Sequence, residues 1–90
     1  MTDALFIDSI TAERHMRLHE LQPGQSGHVV GFRQESALAR RLIAMGVLPG
    51  RPVTVIRTAL FADPMHVAFG PCSLSLRKAD AAHILVSLEK

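Results

Sequence analysis

Transition-metal chemistry needs imidazole, thiolate or carboxylate groups that converge on one ion. This 90-residue chain carries five His, eight Asp or Glu and one Cys. Two pairings stand out. His15 and His19 are flanked by Glu13 and Glu20, and Asp63 and His66 flank the break at Pro64. On a helix His15 and His19 would share a face at i, i+4. On a strand, four steps of about 3.3 Å put them roughly 13 Å apart, too far for one ion. Asp63 and His66 could meet across a turn, but one carboxylate and one imidazole make half a site. His28 and His83 stand alone.

Nucleophilic and phosphate chemistry find less to work with. There is no Gly-x-Ser-x-Gly elbow and no cysteine-centred signature. The carboxylates are dispersed, so no acid–base pair is visible. Gly24-Gln25-Ser26-Gly27 lacks both the spacing and the lysine of a phosphate-binding loop. After Pro23 it reads as a turn. Cys72 is solitary, which excludes an internal disulfide and suits a reducing compartment. The expectation is a protein that is not an enzyme.

The elements that must position these residues are short. Met16-Arg17-Leu18-His19-Glu20 alternates with period two and predicts a strand. Further strands are predicted at His28–Phe32, Arg51–Leu60, Met65–Phe69, Ser73–Arg77 and Ile84–Leu88, with a helical turn over residues 78–83. One helix is predicted near Ser36–Met45. At about 100° per residue, Leu38, Leu42 and Met45 form its core-facing stripe, and Gly46 supplies its C-terminal cap. Ile43 lies off that stripe, beside Ala39. It reads either as part of a wider buried face or as an exposed apolar spot between basic neighbours. Residues 1–15 form an N-terminal extension, read as a short helix with Asp3 as cap and Leu5, Phe6, Ile7 and Ile10 on one side. Five to six short strands with one short helix predict a mostly β, small barrel whose closure removes free strand edges.

Composition narrows function further. The chain is 48% hydrophobic and 20% charged, which is the profile of a folded domain of one core. Its aromatics are four Phe, with no Trp and no Tyr. Grooves for proline-rich peptides and stacking platforms for single-stranded nucleic acid both depend on aromatics, so neither is expected. The net charge of +2 comes from scattered basic residues and does not predict nucleic-acid binding. The N-terminus has no basic run before its apolar residues, and no apolar run reaches the roughly 18 residues of a membrane span. A cytoplasmic protein with no membrane insertion is expected.

Four segments, taken in order, resemble a known family. They are residues 18–29 (Leu-His-Glu-Leu-Gln-Pro-Gly-Gln-Ser-Gly-His-Val), residues 41–50 (Arg-Leu-Ile-Ala-Met-Gly-Val-Leu-Pro-Gly), Ala62-Asp63-Pro64, and Leu76-Arg77-Lys78 followed by Ala81, Ile84 and Val86. Together they resemble the FeoA family of ferrous iron transport accessory proteins across roughly residues 16–88. The same module is similar to the C-terminal domain of iron- and manganese-dependent repressors. The resemblance implies an SH3-like barrel over residues 16–90. It also implies work beside FeoB, a membrane Fe(II) transporter with a cytoplasmic GTPase domain. The alternative it leaves is a metal-sensing or nucleic-acid-associated module. No cofactor is implied with certainty; weak binding of Fe(II) or another divalent transition metal would fall to His15, His19, Asp63 and His66.

Protein recognition is therefore the function to place. The first candidate surface is the helix and its following turn: Arg40, Arg41, Ile43, Val47, Leu48 and Pro49. The second is the N-terminal apolar set, Leu5, Phe6, Ile7 and Ile10. That set could pack on the chain's own barrel, on a second copy in a homo-oligomer, or on the partner.

Overall fold

The computed structural model describes residues 6–7 and 13–88. Among these residues six antiparallel strands form one sheet: β1 (Met16–Arg17), β2 (Ser26–Phe32), β3 (Pro52–Thr58), β4 (Met65–Phe69), β5 (Cys72–Leu76) and β6 (Ile84–Leu88). Their order is β1-β6-β2-β3-β4-β5. The ladder runs open from β1 to β5. Among the described residues the expected closure by hydrogen bonds is thus not made, although the SH3-like wrapping around one core is. Two irregularities shift the register: Val29/Gly31 in β2 against β6, and Val55/Arg57 in β3 against β4. Such bulges bend the strands that carry them.

Alternation decides what each strand buries. Met65, Val67 and Phe69 of β4 and Val53 and Val55 of β3 point into the core, while their neighbours face outward. β6, paired on both edges, buries Ile84, Leu85 and Val86 in succession. The predicted strand over Met16–Glu20 is real only for its first two residues. Leu18–Glu20 turns into a 3-10 helix, because the Glu20 carboxylate reaches back to accept the Arg17 N–H at 2.7 Å and Leu21 N–H bonds Leu18 O at 3.1 Å.

The helix α1 spans Ala37–Ala44, with the Ser36 hydroxyl accepting the Ala39 N–H at 3.0 Å as N-cap. Its buried residues are Ala39 and Leu42, with Leu38 and Ile43 half-buried against the same core. The predicted stripe is thereby corrected at one end: Met45 is 45% exposed. It falls where the helix stops and the chain turns away at Gly46, whose φ of 96° an L side chain would resist. A second helix, α2, is the four-residue Lys78–Ala81.

The N-terminal reading also changes. Phe6 and Ile7 are extended, not helical. Phe6 forms a parallel bridge to Phe32, their rings 6.1 Å apart, and Ile7 N–H donates to Phe32 O at 2.9 Å. Phe6 packs against the chain's own core. Leu5 and Ile10 lie outside the described residues. No helix among the described residues is long and apolar enough to cross a membrane.

Candidate functional site

The helix surface nominated from sequence divides once side chains are placed. Arg40 and Arg41 are exposed, and Arg40 pairs with Glu35. Leu48, 41% exposed, and Pro49 are also free of the core. Val47 is a correction: it is 1% exposed, its N–H bonded to Leu42 O at 2.9 Å, so it fills the core beneath the turn. Ile43 follows the wider-face reading and is half-buried. Arg40, Arg41, Leu48 and Pro49 thus remain exposed on the helix and its turn. A groove of about 380 Å³ separates α1 from β5, with Leu38, Arg41 and Met45 on one bank and Leu74 and Arg77 on the other.

One positioning residue escaped the sequence reading. Arg51 Nε donates to Gly46 O at 2.8 Å, which places a cation on the carbonyl end of α1. A Cβ at Gly46 would sit 2.6 Å from the same guanidinium, and one at Gly70 would sit 3.1 Å from it. Arg51 therefore holds the end of α1 and passes close to the β4–β5 turn. The spacing of two glycines and one arginine holds no periodicity that could have announced it.

The nominated metal residues are not gathered. His15 lies on the turn before β1, and His19 on the following 3-10 turn. His19 Nδ1 is buried without a hydrogen-bond partner, as is His83 Nδ1. Burial pushes the His19 pKa below its ordinary 6.5. Glu20 opposes that shift, while Lys78 and Arg17 add to it. Asp63 and His66 do flank a turn, but each is engaged elsewhere. The Asp63 carboxylate accepts the Lys78 N–H at 3.0 Å and lies 3.6 Å from Arg77 Nε. It thus caps α2 from a distant loop. His66 Nδ1 is 3.3 Å from the hydroxyl of Ser75, its cross-strand partner. Among the described residues no three His, Cys, Asp or Glu side chains come together as a metal site would require. Cys72 is half-buried at the start of β5.

The β3–β4 loop shows what the sequence reading overlooked. Leu60 and Phe61 are 77% and 83% exposed, the most exposed large apolar residues described. Only their position in a run that otherwise reads as strand could have drawn attention to them.

Comparison with known proteins follows the same boundaries. The FeoA domain family model matches residues 16–88. A Porphyromonas gingivalis protein, the Fe(2+) transport protein A/Fe(2+) transporter FeoB fusion protein, is 34% identical over 73 residues. That alignment takes in 81% of this chain but spans only 9% of the relative's length. The structure of Stenotrophomonas maltophilia FeoA complexed with zinc, a procaryotic SH3 domain protein, superimposes with a TM-score of 0.73 at 28% identity, covering 80% of this chain and 89% of that one. A manganese-dependent transcriptional repressor superimposes with a TM-score of 0.72 over 82% of this chain and 41% of its own. At 20% identity that likeness concerns the fold alone.

Proposed function

Because the chain belongs to the FeoA family, we propose that it is a non-enzymatic accessory of ferrous iron transport that works in the cytoplasm by binding an FeoB-type GTPase transporter. The observation that supports this is the Porphyromonas gingivalis relative, in which a homologous stretch shares one polypeptide with FeoB. Covalent linkage holds two modules at high effective concentration, an arrangement that profits modules which must touch. A separate chain would have to supply the same contact by affinity. The fold suits such a role, since it offers exposed apolar and basic groups to a partner.

Iron enters this reading as the transporter's cargo. The zinc of the Stenotrophomonas maltophilia protein belongs to that structure. On this chain, His15, His19, Asp63 and His66 would offer a divalent cation one or two ligands at a time, which gives weak binding of Fe(II) or Zn(II). Self-association into a homo-oligomer would use the remaining apolar surface.

The test is capture of the detergent-solubilised transporter by the purified chain, with a DNA duplex as the competing arm. Binding of the transporter that persists across moderate salt supports the accessory role. Steeply salt-dependent binding to the duplex, with no capture of the transporter, would transfer support to the repressor-like module.

A further inference from the structure

Phe61 is placed where the fold gains nothing from an aromatic ring. Its side chain is 83% exposed, and its backbone sits at φ 61°, ψ 25°. That left-handed region is opposed by L side chains; glycine enters it freely and Asn or Asp more readily than a bulky residue. Local folding alone would therefore select glycine here. Leu60 beside it is 77% exposed and is likewise unspent on the core.

The loop that carries this pair is anchored. Ala59 N–H donates to Pro64 O at 2.9 Å, and Asp63 N–H to Leu60 O at 3.3 Å. The Asp63 carboxylate ties the loop's end to the first turn of α2. A tip held in this way loses less freedom on binding than a slack one. Cations also stand at both ends of the loop. Arg57 leads into it on β3. The Arg77 side chain is 76% exposed beside Asp63, and Lys78 is exposed next to it. Asp63, the acid within the loop, already faces Arg77 and the Lys78 N–H.

An exposed apolar pair on a loop with an arginine at each end has the composition of an interface anchor. We infer that Leu60 and Phe61 are the residues this chain inserts into its partner, and that the receiving surface is an apolar pocket with an acidic rim on the transporter's cytoplasmic region. This rests on the accessory reading above and moves the docking surface from α1 to the β3–β4 loop. The basic border supplies the charge complementarity, and the absence of intramolecular work for Phe61 leaves its ring free to supply the burial.

The experiment compares wild type, Phe61→Gly, Leu60→Ser and Leu88→Ser for binding to the immobilised full-length transporter. Anionic-lipid vesicles serve as a second surface, and each variant's thermal melting is recorded. Phe61→Gly should melt at or above the wild-type temperature, since it relieves the positive φ and uncovers no core. Its affinity for the transporter should fall roughly tenfold or more, as for an anchor residue. Leu60→Ser should fall in the same direction, and Leu88→Ser, at an exposed aliphatic residue outside the loop, should bind as wild type does. If wild type binds and Phe61→Gly binds equally, the loop proposal is overturned while the accessory reading stands. If wild type itself fails to bind the transporter, both are overturned. Co-sedimentation with vesicles that depends on Phe61, with transporter binding unchanged, would overturn the proposal in favour of a membrane contact. A lower melting temperature for Phe61→Gly would show that the ring serves the fold.

Discussion

Helix α1 with its turn and the β3–β4 loop both carry apolar residues close to arginine in sequence: Arg40 and Arg41 within the helix, and Arg57 three residues ahead of Leu60. In three dimensions they have opposite fates. The helix commits Ala39, Leu42 and Val47 to the core and half of Ile43 with them. The loop commits neither Leu60 nor Phe61. The difference follows from geometry. A helix over a sheet must bury one face, and its amphipathic period selects which residues go in. A loop between two paired strands needs only its ends fixed, so its tip residues are free for another use. Apolar residues flanked by arginine are thus two different things, and burial separates them.

The largest expected effect lies on the helix side. Leu42→Ala removes a fully buried side chain and should cost about 2–5 kcal/mol, read as a lower midpoint in chemical denaturation with the slope unchanged. Phe61→Gly in the same assay should change stability by less than about 1 kcal/mol, or raise it. Equal losses at the two positions would break the contrast. Ile43→Glu comes next. It places a charge on a half-buried position and should destabilise by about 1–3 kcal/mol. If it instead leaves the melting temperature intact and abolishes transporter capture, the helix face is a partner surface after all.

A smaller effect tests how the loop is anchored. Asp63→Ala removes the carboxylate that caps α2 and faces Arg77. Loss of such a cap costs about 1 kcal/mol. Amide exchange should quicken at Lys78–Ala81 and in residues 59–64, while α1 keeps its protection. Faster exchange throughout the molecule would mean that Asp63 holds the whole fold and that the loop is no separate unit.

How much of the molecule is legible in its sequence differs by element. β4 and β5 alternate cleanly, and Ser36 and Gly46 are recognisable helix ends, so these parts are readable from local pattern. Leu18–Glu20 continues the alternation of Met16–Arg17, yet turns because Glu20 bonds a backbone amide three residues earlier; periodicity does not encode that competitor. Phe6 pairs with Phe32 across the sheet, a contact no local window contains. The metal candidates fail to converge for the same reason. Asp63 is near His66 in sequence, but its carboxylate is taken by Lys78, fifteen residues on. The family resemblance supplies the fold and the field of function; it does not single out the exposed pair, because Leu60 and Phe61 fall outside the segments that carry the resemblance.

The smallest effect concerns acid, and it sharpens the contrast by asking which side of the molecule yields first. The 3-10 turn that bears His19 packs on α2, the helix that Asp63 caps. Burial lowers the His19 pKa below 6.5, so the folded state prefers the neutral ring. Glu20 favours the proton, whereas Lys78 and Arg17 disfavour it. The unfolded chain binds that proton more readily than the folded one. Stability from His19 is therefore fully present above about pH 6.5 and is lost as pH falls through the depressed folded value. His19→Gln should flatten the decline in melting temperature below pH 6.5 without altering it at pH 8. In wild type, protection at Leu18–Glu20 and α2 should weaken on acidification before protection at α1 does. A decline that is identical in His19→Gln would remove His19 as its source, and simultaneous weakening of α1 would show that the two sides are coupled more tightly than their separate anchors suggest.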